Sequence, residues 1–181
     1  MKKIMKYQTL LVGISLLCAA GTAVADHHMT DSPSDHYRAN EFDVDLFGGA
    51  TVGQTTLEHL SRRRIRDNGN LGAGVGISYF ITRYVGIGAD AYTESTADSI
   101  VDSASANVIF RLPLGQSGVA PYIFGGGGRQ FDPTELWLGQ FGGGLEYRFN
   151  HNVGVFADGR YVMADGTSNY GLFRLGLRLA F

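Results

Sequence analysis

The sequence predicts an all-β fold, an eight-stranded antiparallel up-and-down barrel that crosses a membrane with its strands. Three observations carry this. Apolar residues alternate with small or charged ones, at period two, through eight separate runs. Gly occurs 26 times in 181 residues, which disfavours helix. Connections after the odd-numbered runs are longer or more polar than those after the even-numbered runs, as in barrels with short turns at one end and loops at the other.

Residues 1–25 read as a cleaved leader. Lys2, Lys3 and Lys6 form a positive start, Thr9 to Ala19 is apolar but short for a membrane-spanning helix, and Ala23-Val24-Ala25 is an A-x-A site before Asp26. Cys18 leaves with this segment, so no thiol chemistry is expected. Residues 26–40 are polar and aperiodic, a flexible N-terminal segment, and 41–181 form the barrel domain. His27, His28 and His36 have no metal-site spacing, and neither a metal nor a cofactor is expected.

The strands follow in order. The first spans Phe42 to Gly53, with Phe42, Val44, Leu46, Gly48, Ala50 and Val52 on one face and Asp43, Asp45, Phe47 and Thr51 on the other. The second, Leu71 to Ile81, sets Leu71, Ala73, Val75, Ile77, Tyr79 and Ile81 against Gly72, Gly74, Gly76, Ser78 and Phe80. After a tight turn the third runs from Val85 to Tyr92, with Asp90 on its polar face. The fourth opposes Ala104, Ala106, Val108, Phe110 and Leu112 to Ser105, Asn107, Ile109 and Arg111. In the fifth, Ala120 to Gly128, the run Gly125 to Gly128 blurs the phase; Tyr122 and Phe124 are assigned to the apolar face. The sixth, Trp137 to Phe149, carries Glu146 and Arg148 on its polar parity, and the seventh, Val153 to Val162, carries Phe156, Asp158 and Arg160. The eighth is the sharpest: Phe173, Leu175, Leu177, Leu179 and Phe181 against Leu172, Arg174, Gly176, Arg178 and Ala180.

Residues 74–90 echo 142–158 at an offset of 68, with Gly74/Gly142, Tyr79/Tyr147 and Asp90/Asp158 among the matches. The offset is four strands. Hairpin duplication and shared constraints on barrel hairpins both account for it.

Which parity faces out decides the class. Turned inward, the apolar face would make a soluble lipocalin-type carrier. Three features favour the inverse. The polar faces are rich in Gly where a wetted wall would carry long charged side chains. Their charges balance, with Asp43, Asp45, Asp90, Glu146 and Asp158 against Arg111, Arg148, Arg160, Arg174 and Arg178, as a paired interior requires. Aromatics mark both ends of the apolar faces: Phe149, Phe181 and Tyr122 at one, Trp137 and Tyr161 at the other. Residues 26–181 also contain twelve Arg, no Lys and seventeen acids, a net of −5, which excludes the basic stripe of a nucleic-acid binder. Counting along the strands places Arg178 near Asp43 or Asp45 and Arg174 near Asp158. An eight-stranded interior is just wide enough for side chains to fill. Inward Gly leaves room for the Arg side chains, Phe80, Tyr92 and Phe156, so a plugged lumen is expected.

The hairpin Tyr79 to Asp90, the hairpin Leu145 to Tyr161 and the terminal strand ending on Phe181 resemble the small outer-membrane β-barrel superfamily of the OmpA transmembrane domain and OmpX-like proteins. The resemblance implies export to the outer membrane of a Gram-negative bacterium. It also implies contact with its lipids and lipopolysaccharide, and recognition of Phe173, Leu175, Leu177, Leu179 and Phe181 by the barrel-assembly machinery. It does not fix a role, because this barrel hosts adhesins, stability proteins, enzymes and channels. A non-enzymatic protein, structural or acting through its external loops, is the first expectation; Arg62, Arg63, Arg64 and Arg66 would bind phosphates or an anionic partner, the ligand being unknown. A lipid A-modifying enzyme is the second. His59-Leu60-Ser61 has the His-x-Ser spacing of the lipid A deacylases but lies in a loop, with Glu58 adjacent, where that family places the pair on a strand. A narrow channel is the third, against which eight strands leave little room.

Overall fold

The computed structural model describes residues 36–53, 71–94, 101–131, 135–165 and 169–181. Among these residues eight strands form, β1 (Glu41–Gly53), β2 (Leu71–Phe80), β3 (Val85–Thr93), β4 (Ser103–Arg111), β5 (Val119–Gln130), β6 (Leu136–Arg148), β7 (Val153–Ala164) and β8 (Tyr170–Ala180). Each pairs antiparallel with the next, and β8 returns to β1, closing the barrel. Closure satisfies the backbone donors and acceptors that an open sheet edge would leave bare, the condition for strands in hydrocarbon. The expected strands are all present, with boundaries shifted by a residue or two at their ends, where pairing frays.

The turns at the short-connection end are held by side-chain caps. Thr82 Oγ accepts from the amides of Tyr84 (3.2 Å) and Val85 (3.0 Å). Asn150 Oδ1 accepts from Asn152 N (2.9 Å) and Val153 N (2.8 Å), an Asx turn. Between β4 and β5, Gly118 adopts φ +70°, and a Cβ there would strike the Arg148 carbonyl oxygen that closes over it.

The parity question is settled by the side chains. Leu175 is 68% exposed and Leu177 53%, while Arg178 between Leu177 and Leu179 is 4% exposed. The apolar parity therefore faces outward, which removes the lipocalin-type alternative. Trp137 (70% exposed), Tyr161, Phe149 and Phe181 lie on the outer surface, in the places assigned to aromatic girdles.

β5 corrects one assignment. Tyr122 and Phe124 are buried inside the barrel, whereas Ile123 is exposed outside. The strand is one residue out of the expected phase, so Tyr122 belongs to the lumen and not to a girdle. The cause is the interior: Phe47, Tyr92, Tyr122, Phe124, Phe156 and Leu172 form one cluster within the barrel. Glycine on facing strands makes the room. A Cβ on Gly142 would meet Phe124 Cζ at 2.7 Å, and one on Gly176 would meet Phe156 Cε1 at 2.7 Å. Aromatic rings thus occupy both surfaces, and aromatic character alone does not tell them apart.

The N-terminal segment brings a second difference. The described part of the expected flexible stretch, 36–40, is no free tail: Tyr37 is buried, and Asn40 at φ +55° turns the chain from it into β1. A short polar residue tolerates that left-handed conformation, and Asn40 Oδ1 accepts from Tyr79 Oη at 3.1 Å.

Candidate functional site: the charged lumen

All ten expected lumen residues, Asp43, Asp45, Asp90, Arg111, Glu146, Arg148, Asp158, Arg160, Arg174 and Arg178, point inward and take part in ion pairs. They form two layers.

The layer at the turn end centres on Arg148, from the last residue of β6. Its Nε lies 2.5 Å from Glu146 Oε1, Nη1 is 2.9 Å from Glu41 Oε2, and Nη2 is 2.8 Å from Glu41 Oε1 and 3.2 Å from Asp43 Oδ1. Nη1 also donates to the carbonyls of His36 (3.3 Å) and His151 (3.2 Å). Arg111 Nη1 reaches Glu41 Oε1 at 3.0 Å, and its guanidinium carbon lies 3.7 Å from the Phe80 ring centre. Arg178 forks onto Asp45, Nε to Oδ1 and Nη2 to Oδ2 both at 2.7 Å, and its Nη1 lies 2.5 Å from Glu146 Oε2. Its other expected neighbour, Asp43, is 3.7 Å away.

The second layer lies toward the loop end. Arg174 forks onto Asp158 (Nε to Oδ1 2.8 Å, Nη2 to Oδ2 2.7 Å), as the strand count predicts, and its Nη1 lies 3.4 Å from Asp90 Oδ2. Arg160 forks onto Asp90 at 3.0 Å through each nitrogen and also reaches Gln140 Oε1 at 3.0 Å. Asp90 and Asp158, the matched acids of the internal echo, thus grip Arg174 from two hairpins. Neutral groups complete the layer. Tyr122 Oη donates to Asp158 Oδ2 at 2.6 Å, Ser105 Oγ to Asp90 at 3.0 Å, and Gln140 Nε2 to Asn107 Oδ1 at 2.7 Å.

Sequence reasoning missed Glu41 and Tyr37. Among the described residues Glu41 makes a sixth acid of the two layers against five arginines, so the expected balance of five against five does not hold there. The excess sits in the turn-end layer, where Glu41, Asp43, Asp45 and Glu146 face Arg111, Arg148 and Arg178. Two signals were available: Glu41 continues the inward parity of Asp43 and Asp45, and Tyr37 is the one aromatic ring of a Phe, Tyr or Trp in residues 26–40.

Arg111, Arg148, Glu41, Asp43, Glu146, Phe80 and Phe156 are essentially closed off from solvent. Chemically, the interior pairs its charges across strands, with one carboxylate in excess among the described residues; no cluster of His, Cys, Asp or Glu among them is arranged to hold a metal ion. Arg62, Arg63, Arg64 and Arg66, the His59-Leu60-Ser61 run with Glu58, and the leader 1–25 lie outside the described residues.

No protein-family model matches the chain, and no curated protein matches it. Solved structures do. The N-terminal β-barrel domain of Pseudomonas aeruginosa OprF aligns with TM-score 0.57 at 17% identity, over 80% of this chain and 99% of that one. Neisserial surface protein A aligns with TM-score 0.55 at 17% identity, over 77% and 97%. Ail, the attachment invasion locus protein of Yersinia pestis, aligns with TM-score 0.54 at 17% identity, over 79% and 99%. At such identities the likeness is one of architecture, and the architecture is that of the small eight-stranded outer-membrane β-barrels.

Proposed function

We propose that the chain is an integral outer-membrane protein of a Gram-negative bacterium, non-enzymatic, with a closed lumen, and that it serves as a rigid support for its loop-end connections. The observation that carries this is the inside-out arrangement: leucines and aromatics outside, paired carboxylates and guanidiniums within. An interior filled this way leaves the external loops as the surface free to vary and to act. The likeness to Ail, named for attachment and invasion, supports a surface role, and an Ail structure with the heparin analogue sucrose octasulfate supports an anionic ligand class. Arg62, Arg63, Arg64 and Arg66 are the residues that would serve it, through guanidinium–phosphate or guanidinium–sulfate pairing. Lipopolysaccharide phosphates offer the same chemistry. The parity of Phe173, Leu175, Leu177, Leu179 and Phe181 would present β8 both to lipid and to the barrel-assembly machinery.

Two measurements test the reading. Outer-membrane fractions run on gels with and without boiling should show a heat-dependent mobility shift, and the purified protein in planar bilayers should give flat current traces. Defined conductance steps would replace the closed lumen with a channel. Immobilised heparin should retain the protein at low salt and lose it when the four arginines are changed to Ser; equal retention would remove the basic loop from the proposal.

A further inference from the structure

We infer that residues 36–41 are a built-in stopper, in which the Tyr37 ring seals the turn end of the lumen and keeps water and solutes away from the turn-end charge layer. The inference rests on the closed-lumen reading above. Tyr37 is 3% exposed although it precedes the first strand. Its hydroxyl donates to the carbonyl of Gly118 at 2.7 Å, on the β4–β5 turn, and approaches that of Glu146 at 3.4 Å. Two guanidiniums lie close to the ring, with Arg111 Cζ 4.5 Å and Arg148 Cζ 4.9 Å from its centre. The backbone on either side is tied to the same layer. His36 offers its carbonyl to Arg148, and Arg38 N donates to Glu41 Oε2 at 3.2 Å. Burial pushes the Tyr37 phenol well above its ordinary value, with the Glu146 carboxylate adding to the effect.

The arrangement has a physical reason. Four carboxylates and three guanidiniums share the turn-end layer, and their attraction is strong only where water is excluded. A flat ring is a good cover, because it lies against the cations while its edge hydroxyl bonds the turn opposite.

The test uses the full chain with Cys18→Ser, refolded in detergent, and Ser78→Cys as reporter. Ser78 is buried, lies opposite Asp43 in the β1–β2 register, and its Oγ has no hydrogen-bond partner among the described residues, so the exchange removes no bond seen there. A small cationic methanethiosulfonate should label this thiol slowly in the parent, at least tenfold faster with Tyr37→Ala, and slowly again with Tyr37→Phe, which keeps the ring. Unchanged labelling with Tyr37→Ala overturns the stopper and leaves the closed lumen standing. Labelling of the folded parent at the unfolded rate overturns both. A measurement on the unsubstituted protein covers a variant that does not fold. Tetranitromethane should nitrate Tyr37 at least tenfold more slowly than Tyr84, which is exposed on the β2–β3 turn. Equal rates would mean that the ring is not seated.

Discussion

Asp45 and Arg178 face each other across the seam where the last strand meets the first, 133 residues apart in sequence and joined by two bonds of 2.7 Å. The pair is buried and forked, so it fixes register as well as charge: a slip of β8 by one residue would send Arg178 into hydrocarbon and Leu177 or Leu179 into the charge layer. Arg178→Met strands Asp45 and weakens the hold on Glu146. It should lower unfolding stability by about 3–5 kcal/mol, the usual cost of removing one partner of a buried pair. Asp45→Asn beside it should recover part of that loss, and a denaturant titration of both single variants and the double variant measures the coupling. Trp137, the one tryptophan, is the fluorescence reporter.

The outward face is tested at Leu177, one residue away from Arg178. Leu177→Arg places a guanidinium in the lipid, at a cost of about 2–4 kcal/mol near the midplane. The expected result is a lower denaturation midpoint and loss of the heat-dependent gel shift at moderate denaturant. A variant as stable as the parent would contradict the outward placement.

Two adjacent glycines of β5 make a sharper contrast. Gly126 points inward, where a Cβ would overlap the Ala106 carbonyl oxygen and lie 2.8 Å from Asn107 Oδ1. Gly125 points outward, with its nearest neighbour, the Gln140 carbonyl oxygen, at 3.7 Å. Gly126→Ala should cost about 1–3 kcal/mol by overpacking. Gly125→Ala should be neutral or stabilising by about 0.5–1 kcal/mol, through the stiffer unfolded chain. Denaturation midpoints of the two variants should move in opposite directions from the parent or differ by that margin.

Period-two alternation is legible from sequence wherever each strand carries a clear parity, and β8 shows why: its outer positions are Leu or Phe and its inner ones include two arginines. β5 shows where it fails. Ile123 and Phe124 are both apolar, yet one meets lipid and the other an Arg160 guanidinium whose carbon lies 5.2 Å from its ring centre. Local hydrophobicity cannot separate those destinations; the ion-pair partners on neighbouring strands can. The Tyr122 hydroxyl donates to Asp158 inside the barrel, and that bond and the aromatic cluster both hold the ring on the inner face. Tyr37 escaped for a related reason. Its surroundings in sequence are polar and aperiodic, and its burial depends on Gly118 and Arg111, which lie 81 and 74 residues further along the chain.

The surplus carboxylate of the turn-end layer predicts an asymmetry between its partners. Arg148→Met would leave Glu41, Asp43, Asp45 and Glu146 facing only Arg111 and Arg178, and should cost about 3–5 kcal/mol. Glu41→Gln keeps the side chain's shape and one acceptor oxygen, turns the other into an NH2 that faces an Arg148 donor and one more N–H, and brings the layer to three charges of each sign. Its loss should be about 1–3 kcal/mol, the scale of leaving a buried donor without its acceptor, and smaller than that of Arg148→Met. The double variant Glu41→Gln with Arg148→Met should be more stable than Arg148→Met alone, because one of the stranded charges has gone. Equal costs for the two single changes would show that the layer responds to the number of bonds and not to the sign of its net charge.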